Sequence, residues 1–283
     1  MKVVVVQAMP VDGLYSDKNL PRALRLLDEL ANKEVDIVCF PDGYPSTGES
    51  EICRKARDIN VYVIASIATK IAANRFYDES LVINSKGEVV GRHKKVVLLW
   101  MFEPYLIEPG KEFGVFKTPI GNIGILKCSE TLYPEPASIL ANKGADIIFV
   151  QANFPTNILN LWHRILLVRA WENWIPIAAA NNAVWVKEGV IYKDVELTTV
   201  YGGKSIIIVP EEFGKSMEEL PLIAFSHGDF FAERRMVKAL AGHGEETIFS
   251  DIDLGFYSRL RKEFLKYRRT SVQEENPRKG IDS

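Results

Sequence analysis

Several features are scarce in this sequence, and each scarcity excludes a class of protein. The chain of 283 residues has three cysteines, Cys39, Cys53 and Cys128, which form no even disulfide framework and no Cys-x-x-Cys metal pattern. Its longest unbroken apolar run, residues 96–102, is far shorter than the roughly 18 residues that span a bilayer. Residues 1–7 reach a polar side chain too early to form the apolar core of a secretory signal. These absences predict a cytoplasmic protein with free thiols and no membrane partner.

An excess of charge of one sign is also missing. Lysine and arginine total 35 against 37 for aspartate and glutamate, which leaves a formal net charge of −2 and a pI near 6.2. A protein that binds nucleic acid normally has a basic excess or a long basic stripe, so we expect no nucleic acid partner. The histidines, at positions 93, 163, 227 and 243, lack the spacing of zinc ligands, and we expect no metal site.

What the sequence does contain is a repeated alternation of strand-like and helix-like segments. Apolar, β-branched runs predict buried strands, and apolar residues at helical spacing predict amphipathic helices between them. This alternation predicts a mixed-sheet α/β domain. The predicted strands cover residues 3–8, 35–40, 61–69, 76–84, 89–94, 123–126, 146–151, 175–181, 204–209 and 247–253, and the predicted helices cover residues 18–32, 49–60, 134–143, 157–173 and 255–264.

No linker, charge block or internal repeat divides the chain, so we expect a single domain over residues 1–269 and a polar tail over residues 270–283. Asp17 is expected to cap the first helix, and Gly144 to end the helix before it in a left-handed conformation. The predicted loops are residues 10–17, 104–113, 186–197 and 210–221.

Three short segments depart from ordinary core and surface patterns. The first, Phe40-Pro41-Asp42-Gly43-Tyr44, places an acid just past a predicted buried strand, where the sites of α/β folds gather. The alternative is a loop aspartate in a Pro-Asp-Gly turn, which is the more frequent role of this signal when it stands alone.

The second segment is a cationic cluster, residues 92–95, that runs directly into the apolar residues 96–102. A lysine beside a buried run can lose hydration, which lowers its pKa and makes it a proton donor or base. The alternative is a solvated strand end that precedes a core strand.

The third segment, residues 124–135, ends a predicted strand at Cys128 and turns into a helix, like a nucleophile elbow. Backbone N–H groups at such a turn can hold an oxyanion beside the thiolate. A free cysteine is mostly protonated at pH 7, so it needs a base or a cation beside it. The alternative, a buried structural thiol, fits Cys39 within its apolar strand much better than it fits Cys128.

The order acid, lysine, cysteine resembles that of the carbon–nitrogen hydrolase (nitrilase/amidase) superfamily, over approximately residues 3–269. Asp42 follows an apolar run and a proline as the acid of that family does, and Lys95 matches the family's catalytic lysine better than Lys94. Glu103, seven positions before Gly110 of a Pro-Gly pair, is similar to the supporting glutamate. Further segments that fall in family order are Cys128-Ser129-Glu130 with Pro134-Glu135, Gly144-Ala145-Asp146, Arg169-Ala170-Trp171-Glu172-Asn173, Gly202-Gly203-Lys204-Ser205 and Arg268-Arg269.

The resemblance implies a two-sheet α-β-β-α sandwich and a cysteine hydrolase that needs no cofactor. By family role, Cys128 is the nucleophile, Asp42 the general base, Lys95 with the backbone N–H of Ser129 the oxyanion donors, and Glu103 the support of Lys95. The other residues expected near the substrate are Glu130, Asn153 and Phe154, with Tyr44 and Trp185 as further pocket liners; for Trp185 the alternative is a place in the core. It also implies a homodimer or higher homo-oligomer that forms through the region after the cysteine.

One position departs from the family, because Asp42 stands where the family has glutamate. Aspartate is shorter by one methylene, about 1–1.5 Å, and a misplacement of about 1 Å can cost on the order of 100-fold in rate. Either the backbone compensates, the enzyme is slow, or catalysis has been lost and the protein binds or scaffolds instead; an engineered change is a further explanation. Glu49 and Glu51 are possible replacements, although they lie in the following predicted helix.

The resemblance favours small amides over nitriles as substrates, because Ser129 rather than tryptophan follows the cysteine and the chain stops at Ser283. A papain-like pair of Cys128 with His163 is the remaining enzymatic alternative, although no papain-type sequence surrounds this cysteine.

Overall fold

The first sheet carries the acid segment. A computed structural model of the chain describes residues 1–100, 103–192, 195–210 and 236–265. Within them, seven strands form one mixed sheet in the order β15-β1-β2-β4-β5-β6, with the two-residue β3 paired to β4. The strands β1, β2 and β4 are parallel, and the outer pairs are antiparallel. The bounds are β1 Lys2–Gln7, β2 Ile37–Cys39, β3 Pro45–Ser46, β4 Tyr62–Ala72, β5 Arg75–Ile83, β6 Val89–Lys94 and β15 Glu246–Asp251.

The second sheet carries the cysteine segment. Six strands follow the order β14-β13-β10-β9-β8-β7, with a parallel centre of β8, β9 and β10 and antiparallel edges. The bounds are β7 Val115–Thr118, β8 Gly121–Lys127, β9 Ile147–Ala152, β10 Ile177–Asn181, β13 Ile206–Ile208 and β14 Val237–Leu240. A separate hairpin is formed by β11 Trp185–Tyr192 and β12 Val195–Tyr201.

The two sheets pack face to face between two layers of helices. Alternate residues of each strand point to opposite faces, so Val3 and Val5 enter the core between the sheets while Val4 and Val6 face helices α1 Asn19–Asp28 and α2 Glu49–Ile59. Helices α3 Pro134–Asn142 and α4 Leu159–Asn173 cover the outer face of the second sheet. A last helix, α5 Leu254–Leu265, follows β15. The predicted α-β-β-α sandwich is therefore confirmed, and no helix in the described part of the chain has the length and apolar character to cross a membrane.

The structure corrects several local predictions. Residues 186–197, expected as a loop, lie mostly in the β11–β12 hairpin. The first helix begins after Lys18 with no side-chain cap, so the expected Asp17 cap is wrong, whereas Gly144 has the expected positive φ of 88°. Strands β7 and β14 were not predicted because they are short edge strands with weak apolar patterns. The expected tail and most of the loop predicted at residues 210–221 lie outside the described residues.

Buried polar contacts join the two sheets at the edge where their parallel strands end. The carboxylate of Glu130, fully buried, accepts hydrogen bonds from His93 Nε2 at 2.9 Å and from the backbone N–H groups of Val96 at 2.6 Å and Lys127 at 2.7 Å. Burial raises the pKa of Glu130, but His93 and these N–H donors outweigh burial, and the net shift is downward. Glu130 thus ties the segment after β6 to the end of β8.

A single substitution tests this tie. Glu130→Gln removes the charge from several hydrogen bonds, and a charge-assisted hydrogen bond contributes about 1.5–3 kcal/mol, so we expect the free energy of unfolding at pH 7 to fall by about that amount. Because the folded pKa lies below the unfolded value of about 4.3, the contribution of Glu130 is full above that value and is lost as the pH falls through the folded pKa.

Chemical unfolding of the wild type and Glu130→Gln from pH 7 to pH 3 should therefore show a stability difference that narrows on acidification. Glu135→Gln, on the exposed start of α3, is the matched control and should follow the wild type. A stability gap that stays constant with pH would contradict this role for Glu130.

A tight backbone contact holds the loop beside that edge. Gly202 has φ +100°, and a Cβ there would lie 2.1 Å from the carbonyl oxygen of Ala183. The neighbouring Gly203 N–H donates to the carbonyl of Asn182 at 2.6 Å. Only glycine fits both the conformation and the space.

Two glycine-to-alanine variants separate the conformation from the contact. Gly144 has φ +88°, and nothing lies within 4 Å of an added Cβ. In Gly144→Ala the free energy of unfolding should therefore fall only by the conformational cost of about 1–2 kcal/mol. Gly202→Ala adds a backbone clash, and we expect a loss of about 4 kcal/mol or more. Equal losses of thermal or chemical stability for the two variants would contradict the close approach at Gly202.

Candidate active site

Cys128 lies where β8 ends and a 3-10 turn, Cys128–Leu132, begins. Its φ of +42° is rare for a residue with a side chain, as in the sharp turn that presents a nucleophile. Burial raises the pKa of the thiol to about 12, with Asp42 and Glu103 adding to the effect, while Lys95 and the backbone N–H of Asn153 oppose it. The thiol is therefore protonated at neutral pH and needs a base to react.

Lys95 follows β6 and pairs with Glu103. Its ammonium is fully buried and donates to Glu103 Oε1 at 2.5 Å, while Glu103 Oε2 accepts from the backbone N–H of Leu99 at 2.6 Å. Burial lowers the pKa of Lys95, but Cys128, Glu103 and Asp42 outweigh burial, and its pKa lies above the ordinary value. The expectation of a lowered lysine pKa is wrong here because four acidic groups, the three above and Asp78, surround the ammonium. Lys94, in contrast, lies on the ring of Tyr77 at the surface, 3.5 Å from its centroid.

Asp42 lies just beyond β2 and is buried at the same edge. Its backbone carbonyl accepts from Asn182 Nδ2 at 3.0 Å, and its Oδ1 accepts from the backbone N–H of Gly43 at 3.1 Å. Burial raises the pKa of Asp42, but Lys127 and Lys95 outweigh burial, and the net shift of the pKa is downward. The carboxylate therefore stays ionised at a lower pH than an ordinary aspartate does. The structure thus brings together Asp42, Lys95, Glu103 and Cys128 from four separate segments.

Two buried charged residues of the site were missed by the sequence reasoning. Lys127 Nζ lies 2.9 Å from Asp42 Oδ1 and 2.8 Å from Asp78 Oδ1, and it donates to Ser66 Oγ at 2.7 Å. Burial and the charge of Asp42 raise the pKa of Asp78 to about 6, although Lys127 and Lys95 lower it. The sequence features that could have indicated this pair are a lysine at the end of the apolar strand β8 and an aspartate within the strand β5.

Tyr15, in the loop between β1 and α1, is a further residue of this region. Burial of its hydroxyl, together with Asp78, Asp42 and other acidic groups, raises the pKa of Tyr15 well above its ordinary value. The side chain as a whole is 42% exposed, and its ring packs edge-on against Phe76 at 4.9 Å. The residue is therefore partly exposed, with its ring packed on Phe76.

The other residues predicted to contact the substrate make hydrogen bonds or packing contacts within the protein. Ser129 is buried with its hydroxyl donating to the carbonyl of Val97 at 2.7 Å, and Asn153 Oδ1 accepts from Trp185 Nε1 at 3.1 Å. Phe154 packs in the core 5.1 Å from the ring of Trp162, and the oxygens of Glu130 are engaged by the contacts described above. Because both side chains are buried in this way, we expect neither Phe154 nor Glu130 to contact the substrate.

The alternatives weighed from the sequence lie away from this cluster. Tyr44 is fully buried in the core beneath α1 and α2, stacked on Phe40. Glu49 pairs at the surface with Arg92 at 2.5 Å, and His163 Nε2 contacts the carbonyl of Lys204 at 2.7 Å. Among the described residues, no group of three or more His, Cys, Asp or Glu side chains is placed to hold a metal ion.

Comparison with known proteins identifies the family. The model of the family described as carbon-nitrogen hydrolase matches residues 2–212. An omega-amidase of Xenopus laevis is 25% identical over 89% of this chain and 89% of its own, and a nitrilase of Pyrococcus abyssi is 31% identical over 64% of this chain and 75% of its own.

Two solved structures show the same fold. A carbon-nitrogen hydrolase from Helicobacter pylori has a TM-score of 0.76 at 21% identity, covering 97% of each chain. A mutant amidase from Nesterenkonia sp., with the acetamide moiety of fluoroacetamide covalently added at the active site cysteine, has a TM-score of 0.72 at 18% identity, covering 97% of this chain and 95% of its own. With the family model matching well over half of its length, this chain belongs to the carbon–nitrogen hydrolase family of the nitrilase superfamily.

Proposed function

We propose that the protein hydrolyses a carbon–nitrogen bond of a small amide through a thioester on Cys128. The observation that carries the proposal is the placement of a half-buried cysteine, in a strained turn, beside the buried Lys95–Glu103 pair and the carboxylate of Asp42. A thiol with a raised pKa needs both a base for its proton and a cation beside its sulfur. Asp42 and Lys95 provide these two functions.

The reaction follows from these charges. Asp42 takes the proton of Cys128 as the sulfur attacks the amide carbon, and the tetrahedral oxyanion is stabilised by Lys95 and the backbone N–H of Ser129. The carboxyl of Asp42 then protonates the departing amine or ammonia, which leaves the thioester. Water, activated by Asp42, attacks the thioester and releases a carboxylic acid and the thiol. Glu103 holds the ammonium of Lys95 and balances its charge.

The relatives suggest which substrates to test. One relative is named an omega-amidase and another a nitrilase, so both amides and nitriles belong in the panel. We favour amides because Ser129 follows the nucleophile. The buried polar groups of the site suit a small substrate.

Replacement of the nucleophile gives the direct test. Cys128→Ala should abolish ammonia release from a panel of small amides and nitriles, since no other group can form the thioester. Cys53→Ala, at a half-buried position on α2, is the matched control and should leave turnover at the wild-type level.

Iodoacetamide labelling with peptide mapping distinguishes an active enzyme from a catalytically impaired protein with an accessible cysteine. Turnover that is lost in Cys128→Ala and kept in Cys53→Ala supports the proposal. Rapid labelling of Cys128 without turnover of any amide or nitrile would instead favour a catalytically impaired protein that binds or scaffolds.

We also propose that the chain forms a homodimer through α3 and α4. On α4, Leu161, Val168 and Trp171 share one face and are 59%, 49% and 50% exposed, an apolar surface that association would cover. The nearby Ile139 of α3 is exposed as well. These residues lie in the region after the cysteine, where the family resemblance places the interface.

Light scattering coupled to size-exclusion chromatography tests this interface. Trp171→Glu places a charge in the apolar surface and should convert a dimeric wild type to a monomer. Ile71→Glu, an exposed apolar position at the far end of β4, is the control and should leave the mass unchanged. A monomeric wild type, or a dimer that persists in Trp171→Glu, would contradict the proposal.

A further inference from the structure

Lys127 is a fully buried cation whose donors are all engaged. An ammonium group has three N–H donors, and Nζ of Lys127 meets three acceptors, Ser66 Oγ at 2.7 Å, Asp78 Oδ1 at 2.8 Å and Asp42 Oδ1 at 2.9 Å. Ser66 and Asp78 lie in β4 and β5 of the first sheet and Asp42 in the loop after β2, whereas Lys127 ends β8 of the second sheet. The side chain therefore spans the two sheets and ends on the carboxylate of Asp42.

The hydrogen bonds of Asp42 are one-sided. Among the described residues, its carboxylate contacts Lys127, the backbone N–H of Gly43 at 3.1 Å and Ser66 Oγ at 3.4 Å, and all three contacts fall on Oδ1. A carboxylate held at one oxygen by three donors cannot rotate freely about its bond to the chain. Among the described residues, no contact to its second oxygen, Oδ2, accompanies these three.

We propose that Lys127, with Asp78 and Ser66, is a positioning residue that holds Oδ1 of Asp42 and thereby directs Oδ2 toward Cys128. This inference rests on the proposed function of Asp42 as the base.

The charges of the cluster argue for positioning rather than for stability. Lys127 and Asp78 add one positive and one negative charge to the site and leave its net charge unchanged. A buried ion pair contributes little net stability because both charges lose their hydration, and Asp78 Oδ2 has no hydrogen-bond partner among the described residues. What the pair does provide is a fixed contact to Asp42, since Lys127 shares its donors between the two aspartates. The other ionisable groups around the cluster are Lys95, Glu103, Cys128 and Tyr15.

The test removes the pair together. In Lys127→Met/Asp78→Asn one charge of each sign is lost, and we expect kcat for the amide to fall about 100-fold with KM within about threefold. A folded double variant that keeps the wild-type kcat would overturn the proposal. Arg261→Met, which breaks the buried Arg261–Asp146 contact far from the site, is the matched control and should keep the wild-type kcat.

A second variant keeps the test informative if the double variant does not fold. Asp42→Glu restores the family residue, but its longer side chain meets the position already occupied by Lys127, so we expect kcat to fall. Where the double variant does fold, Asp42→Glu in that background should raise kcat, because the longer carboxylate no longer meets the Lys127 ammonium. A rise in kcat for Asp42→Glu in the otherwise wild-type protein would overturn the proposal.

A readout without turnover separates this inference from the proposed function. The pH profile of Cys128 alkylation by iodoacetamide has an acid limb set by ionisation of its base. Loss of Lys127 raises the pKa of Asp42 and loss of the Asp78 anion lowers it, but Lys127 acts through a direct hydrogen bond at 2.9 Å as well as its charge. Because the loss of Lys127 therefore outweighs the loss of Asp78, the limb should move to higher pH in the double variant and stay in place in Arg261→Met. If no amide or nitrile is hydrolysed, the proposed function fails, while a shifted limb still supports the positioning role and an unchanged limb overturns it.

Discussion

The structure depends on neutralising charge that is buried at one edge of two packed sheets. Lys95 and Lys127 lie without exposure to solvent, and an isolated ammonium there would be too costly to keep ionised. Each is matched by carboxylates that come from distant parts of the chain, Glu103 for the first and Asp42 with Asp78 for the second. The sandwich brings these segments together, and the ion pairs in turn fix where its strands end.

The same neutralisation explains the chemistry that we propose. Cys128 is surrounded by acids as well as cations, so its thiol holds its proton until a substrate and a base are both in place. In the resting protein the ammonium of Lys95 donates to Glu103. In the proposed reaction it stabilises the oxyanion.

Much of this arrangement could be predicted from the sequence. The alternation of strands and helices predicted the layers, and the ordered acid, lysine and cysteine predicted the residues that meet at the sheet edge. Lys127 and Asp78 were missed because each is an ordinary-looking polar residue within a strand, and their pairing joins positions 49 apart in different sheets. A contact of that kind depends on how the sheets pack, which periodicity within one segment cannot reveal. The β11–β12 hairpin was missed for a related reason, since its strands have no regular apolar alternation.

The central claim is that Cys128 forms a covalent acyl intermediate with its proton taken by Asp42. The most direct test mixes the protein rapidly with a small amide that it hydrolyses, quenches the reaction with acid and examines the protein by mass spectrometry. The account predicts an acyl group on the peptide that contains Cys128 in the wild type and its loss in Asp42→Asn. Hydrolysis of the amide with no adduct on Cys128, or an adduct on a different residue, would contradict it.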